Sequence, residues 1–310
     1  MIVRGWYGAD VSRTGDLWSY RPKEPMTRQE MAALLDSSMK TLGGGPNLAE
    51  APGGQPRIRA TWLWNSDALL TKEEEVFSFL RDNRINLIYL QIDPDLSAQE
   101  YGDFIAKAGM LGMEVHALGG APDWIQPGDQ GKMYKLIDWV KSYNSAAQPD
   151  RRFQGIHLDV EPFTLPAWQQ DTDTMLGLWR DTVSGFVEEI KKDSPGLIAG
   201  ADLPVWLERF NVPDGRGGRT TLSDWMIRKL DQTTLMAYRD NAGDILGSIA
   251  AEMDEAGKEG RSVIVSVETK PSGEGPITFY GKGQALMMQE LGKVADALRD
   301  RAPFRRICRS

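Results

Sequence analysis

The sequence is short of the residues that staple small proteins or bind metals. Of its 310 residues only one, Cys308, is a cysteine, so no internal disulfide can form and apolar packing must hold the core. Such cysteine usage fits the cytoplasm, and equally bacterial secreted proteins built without disulfides. Histidine is nearly as scarce, with only His116 and His157. There is no HxH or HExxH, and zinc sites usually want more nitrogen and sulfur donors. No metal is therefore expected, although Asp93, His116, His157, Asp159 and Glu161 keep a metal-dependent hydrolase open as a lesser alternative. No apolar run reaches the roughly 18–20 residues of a membrane span. No Lys/Arg block appears and the net charge is −8, which argues against a nucleic-acid partner. The opening "MIVRGWYGADV" has no apolar signal-peptide region. No cofactor is expected either.

What is present is an alternation. Residues 43–56, "GGGPNLAEAPGGQP", read as a Gly/Pro-rich linker. After it come strand-like runs at 57–65, 85–93, 113–120, 153–161, 197–206, 232–240, 262–270 and, more weakly, 303–310. Helix-like runs separate them. In "TMLGLWRDTVSGFVEEIKK" the residues Leu176, Trp179, Val183, Phe186 and Ile190 recur at steps of three and four. Eight strands alternating with helices over about 250 residues predict an α/β fold, a (β/α)8 TIM barrel spanning 57–310. The alternative is a doubly wound open sheet. That fold usually carries a glycine-rich loop after its first strand, and here the loop is "NSDALLTKEE". The eighth unit is weak. Arg305, Arg306 and Arg309 stand where apolar residues belong, and no eighth helix follows.

Side chains alternate in and out along a barrel strand, and barrel active sites lie at the strands' C-terminal ends. In "FQGIHLDVEPF", Ile156, Leu158 and Val160 then face the helices, while His157, Asp159 and Glu161 face the interior. The same parity turns Tyr89, Gln91 and Asp93 inward, with Glu114 and His116, Asp202, Met236 and Tyr238, and Ser266, Glu268 and Lys270. Burying so many unpaired polar groups would be costly, so they predict a solvated cleft. Two carboxylates at one mouth suit glycoside hydrolysis, with Glu161 as the acid. Candidate rim aromatics for sugar stacking are Trp62, Trp64, Trp124, Trp168 and Trp206. Arg239 and Lys270 could bind an anionic saccharide, but pairing with Glu161 and Glu268 is the simpler expectation.

Three resemblances add to this reading. "GIHLDVEP", "HALGG" and "LMAYR" are similar to the fourth-, third- and sixth-strand motifs of family-18 chitinase-like barrels. That likeness implies Glu161 as acid, Asp159 orienting a substrate N-acetyl group that attacks, and a role for Tyr238. Gln154 and His157 replace two acids of the motif, and Arg239 replaces the Asp after its Tyr. Glu-Pro ending one strand and Glu268 ending another resemble retaining barrel glycosidases, which implies Glu268 as direct nucleophile. The sequence leans to Glu268. Finally, "GDLWSYRPKEPMTRQEMAALL" within 9–39 resembles part of an S-layer homology repeat, with Thr27 capping a helix and Glu30 at the capping-box position. That implies an N-terminal helical arm in residues 1–42, contact with cell-wall polymer through Arg28, and an extracellular, wall-associated protein. The expected ligand is a polysaccharide of the cell-wall or N-acetylated glycan class. A non-catalytic carbohydrate-binding barrel is the alternative, since decayed enzymes show broken motifs.

Overall fold

The computed structural model describes residues 10–14, 17–21, 58–273 and 275–301. The helix expected after Thr27, Arg28, the linker at 43–56 and the last strand at 303–310 lie outside the described residues. Within the N-terminal region, β1 (Asp10–Thr14) and β2 (Leu17–Arg21) form an antiparallel hairpin.

The remainder is built on β3 (Ala60–Leu63), β4 (Leu87–Gln91), β5 (Glu114–Gly119), β6 (Gly155–Leu158), β7 (Ile198–Pro204), β10 (Gln232–Met236) and β11 (Ser262–Ser266). Each of these falls inside one of the first seven predicted runs. They form a parallel sheet in the order β11-β10-β7-β6-β5-β4-β3. Sequential parallel strands joined by helices are the βα repeat of a barrel. A short antiparallel pair, β8 (Asn211–Pro213) with β9 (Arg219–Thr221), interrupts the alternation.

The sheet curls. β3 and β7 stand four places apart, about 19 Å in a flat sheet. Yet the Trp62 indole N–H on β3 donates to Asp202 on β7 at 2.8 Å. Ile264 on the far edge strand shares a buried interior cluster with Trp62, Leu87, Tyr89 and Leu118. The outward positions pack against the helices. Ile88, Leu90, Ile156, Leu158, Val160, Val263, Val265 and Val267 all belong to the main core. This is the alternation the sequence predicts. The fold is thus an α/β barrel with seven strands among the described residues.

The helices form for local reasons. Thr172–Asp193 starts where Asp171 accepts the Thr174 N–H, and it buries Leu176, Trp179, Val183, Phe186 and Ile190. The Ala98–Met110 helix fills the gap between the runs at 85–93 and 113–120, and its start, Ser97 with Glu100, is a complete capping box. Between β10 and β11 the stretch "DILGSIAAEMDEAG" falls in two helices, Ala242–Ser248 and Ala250–Glu259.

Candidate active site

β6 is shorter than predicted. Its ladder ends at Leu158, and Asp159 and Glu161 occupy the segment beyond it. Asp159 is still anchored, its N–H donating to the Gly119 carbonyl at 3.1 Å. Glu161 is followed by Pro162, which has no N–H to extend a ladder and opens a 3-10 turn. The glycines of "HALGG" have a physical reason here. A Cβ on Gly120 would sit 1.9 Å from the Asp159 carbonyl oxygen. Only glycine lets the two strand ends approach so closely.

Asp159 and Glu161 are half-buried and close enough for each to shift the other's proton affinity. Burial, then the charges of Asp202 and Glu161, push the Asp159 carboxyl up to about 9. Burial also raises Glu161, and Glu268 adds to that. The Lys270 ammonium and the neighbouring Asp159 act the other way. Asp159 therefore keeps its proton at neutral pH and is the one of the two able to donate. Asp159 Oδ1 is buried with no hydrogen-bond partner among the described residues. Tyr238 lies within the field of all four acids, Asp202, Glu268, Asp159 and Glu161, which with burial hold its phenol protonated. Glu268 is half-buried just past β11, and its Oε1 accepts from the Thr269 and Lys270 N–H groups at 2.6 and 2.7 Å. The structure therefore brings Asp159, Glu161, Tyr238, Glu268 and Lys270 within electrostatic reach of one another.

Other expected site residues are placed elsewhere. His116 and His157 are fully buried and Asp202 is 3% exposed. Their expected role as substrate contacts gives way to places inside the barrel. A His157 Nε2 atom 3.0 Å from Asp202 Oδ1 is out of solvent, and burial lowers the imidazole to about 3, so it is neutral. His116 lies 3.7 Å from Glu114 at the start of β5, away from the mouth. Asp93 is half-buried and closes a turn, its Oδ1 accepting the Asp95 N–H at 2.9 Å. Gln91 is also half-buried, at the end of β4. Arg239 donates to the Tyr238 carbonyl at 2.7 Å. Among the described residues neither Arg239 nor Lys270 forms an ion pair, so the expected pairing with Glu161 and Glu268 is not made. Nor do any three His, Cys, Asp or Glu of the described residues group to hold a metal ion.

The aromatics divide. Trp62 is 6% exposed and points inside, not to the rim. Trp64 is half-buried against the same interior cluster. Trp168 and Trp206 pack edge to face with Phe163 and Phe210, Phe163 and Trp206 being 5.0 Å apart. Trp124 packs on the main core. Sequence reasoning missed the small residues that seat the interior rings. A Cβ on Gly155 would lie 2.8 Å from the His116 ring, and one on Gly200 2.8 Å from the His157 ring. The signal was present, since each glycine stands inside a strand-like run where it weakens the strand unless something approaches closely.

No family model matches the chain, and no curated protein matches it. Among solved structures it is similar to a GH18 chitinase from Cycas revoluta in complex with (GlcNAc)3, at 14% identity over 67% of this chain and 67% of that one, with a TM-score of 0.41. It is also similar to an endo-1,4-beta-mannanase from Eisenia fetida, at 13% identity over 83% and 90%, TM-score 0.42. A third likeness is to a beta-mannanase from the blue mussel Mytilus edulis, at 11% identity over 81% and 95%, TM-score 0.46. The chain spans about two thirds of the chitinase chains it resembles. Among the described residues no helix is long and apolar enough to cross a membrane. At these identities the fold assignment rests on the curled parallel sheet itself.

Proposed function

We propose that the chain is a glycoside hydrolase acting on a polysaccharide, with Glu161 as general acid/base and Asp159 as its protonated partner. The observation that carries the reading is the placing of two half-buried acids side by side beyond β6, where burial biases both toward their protonated forms. A carboxyl with raised proton affinity suits protonation of a glycosidic oxygen. A neutral Asp159 suits a partner that turns to hold a substrate amide, and its Oδ1 has no partner among the described residues to give up. Direct attack by Glu268 gives no reason for keeping Asp159 protonated. This supports substrate assistance over direct displacement, the reverse of the sequence's lean. N-acetylated glycans are then the substrate class. Attachment to a cell wall rests on the S-layer-like residues 9–39 alone.

The test is a screen of the purified chain against cell-wall and N-acetylated glycans, with azide rescue of Glu268→Ala. Turnover of N-acetylated substrates, lost in Asp159→Ala and retained in large part in Glu268→Ala, supports the proposal. Azide rescue of an inactive Glu268→Ala would assign direct attack to Glu268. Binding without turnover would make the barrel a carbohydrate-binding module.

A further inference from the structure

None of the tryptophans expected at the rim is exposed, and the exposed aromatic rings among the described residues are Tyr134 and Tyr280. Tyr134 belongs to the outer ring. It lies on the Gly131–Ala146 helix, and a Cβ on Gly185 of the Thr172–Asp193 helix would sit 2.3 Å from its hydroxyl. Tyr280, 36% exposed, is carried by the connection after β11, beside the mouth. There Thr278 pairs in parallel with Glu268, and the Phe279 N–H donates to the Glu268 carbonyl at 2.9 Å. Phe279 is buried in the main core with Val267. Thr278 therefore faces the same way as Glu268, toward the interior.

The buried Thr278 hydroxyl is a clasp. It donates to the Lys270 carbonyl at 2.7 Å, with the Glu268 carbonyl at 3.2 Å, and it accepts the Tyr280 N–H at 2.9 Å. One hydroxyl thus joins Lys270 to Tyr280 across the connection. Glu268 Oε1 also accepts the Lys270 N–H, which fixes the other side of the clasp. Beyond Tyr280 a turn closes with the Lys282 N–H on the Phe279 carbonyl at 3.0 Å, and the Lys282 ammonium pairs with Asp240, two residues past Tyr238. Lys282 is thereby occupied, and Arg239 donates to the carbonyl of its neighbour Tyr238. Lys270 is exposed and forms no ion pair among the described residues.

We propose that Tyr280 and Lys270 form a saccharide subsite on the rim, the ring taking the apolar face of a pyranose and the ammonium taking a carboxylate on the glycan. The proposal rests on the hydrolase reading above and narrows its substrate class to N-acetylated glycans that carry carboxylates. An exposed phenol ring, apolar in body and polar at its tip, suits the face of a sugar. A cation with no protein acid to hold it is open to an anionic ligand. The clasp fixes both backbones before a ligand arrives, which lowers the ordering cost of binding.

Two N-acetylated oligosaccharides of equal length test it: chito-oligosaccharide, and a glycan with a lactyl carboxylate on every second sugar. The full wild-type chain is expected to favour the carboxylated one in kcat/KM by about tenfold. Lys270→Met should bring that ratio close to one. Tyr280→Ala should raise KM for both glycans by roughly three- to tenfold, with a smaller effect on kcat. Thr278→Val removes the clasp and should copy both losses, while Thr278→Ser keeps the hydroxyl and the wild-type ratio. An unchanged ratio in Lys270→Met, including an equal loss on both glycans, would assign the lysine to the acid pair and overturn the proposal. Equal wild-type rates on the two glycans, or an unchanged KM in Tyr280→Ala, overturn it as well. If the wild-type chain cleaves neither glycan, calorimetric titration with both still reads the subsite. A preference for the carboxylated glycan that is lost in Lys270→Met then upholds the subsite and sinks the hydrolase reading alone, whereas no preference sinks both.

Discussion

Replacing Glu161 by Gln keeps its volume and removes its proton. Hydrolysis is expected to fall by roughly 10²–10⁴ in kcat, with an unchanged circular dichroism spectrum. Asp159→Ala should lose activity too, since it removes the protonated partner beside Glu161. At His157 the expectation concerns protonation. Burial depresses the imidazole from 6.5 to about 3, so the neutral form is favoured in the folded state. Its contribution to stability is complete above pH 6.5 and is lost as pH falls toward 3. NMR of the His157 ring should therefore show no titration between pH 5 and 8; a midpoint near 6.5 would contradict the burial seen here. These residues were legible in the sequence by parity alone. Their depth was not, because alternation tells inward from outward but does not tell mouth from floor.

Among the elements, the β5 end is the most exacting. Gly120→Ala places a methyl group against the Asp159 carbonyl, so the segment carrying both acids must shift. Activity should drop well before stability does, measured as kcat/KM against the thermal midpoint. On the outer ring, Glu252 of the Ala250–Glu259 helix is 1% exposed and its Oε1 has no hydrogen-bond partner among the described residues. Burial raises it from 4.5 to about 7, and Glu208 and Asp224 add to that. The protonated form is favoured on folding. The stability it contributes is full below pH 4.5 and is lost as pH rises through about 7. Glu252→Gln should thus raise stability by roughly 2–3 kcal/mol at pH 8 and change little at pH 4.5, as read by urea denaturation. Helix faces such as Leu176 to Ile190 could be read from the sequence because their period is long and regular. The Ala98–Met110 helix follows from the alternation, but its bounds are hard to read from a stripe. Its run "AQEYGDFIAKAGM" mixes small and polar residues, which blurs the apolar stripe.

For the molecule as a whole, interior contacts reach from β3 to β7, and Trp62 and Ile264 share one buried cluster. The barrel should consequently unfold as one unit. Tryptophan fluorescence and far-ultraviolet circular dichroism are expected to give coincident transitions, whereas separate midpoints would indicate that the edge strands melt alone. The barrel was readable from seven strand-like runs in order. The contacts between distant runs were not, since Trp62 and Asp202 are 140 positions apart and pair only because the sheet curls. The central claim, that Glu161 acts as acid beside a protonated Asp159, is tested most directly by comparing hydrolysis of N-acetylated and de-N-acetylated chito-oligosaccharides by the wild-type and Glu161→Gln chains. The prediction is cleavage of the acetylated substrate only, lost in Glu161→Gln. Wild-type rates in the folded Glu161→Gln chain would contradict it.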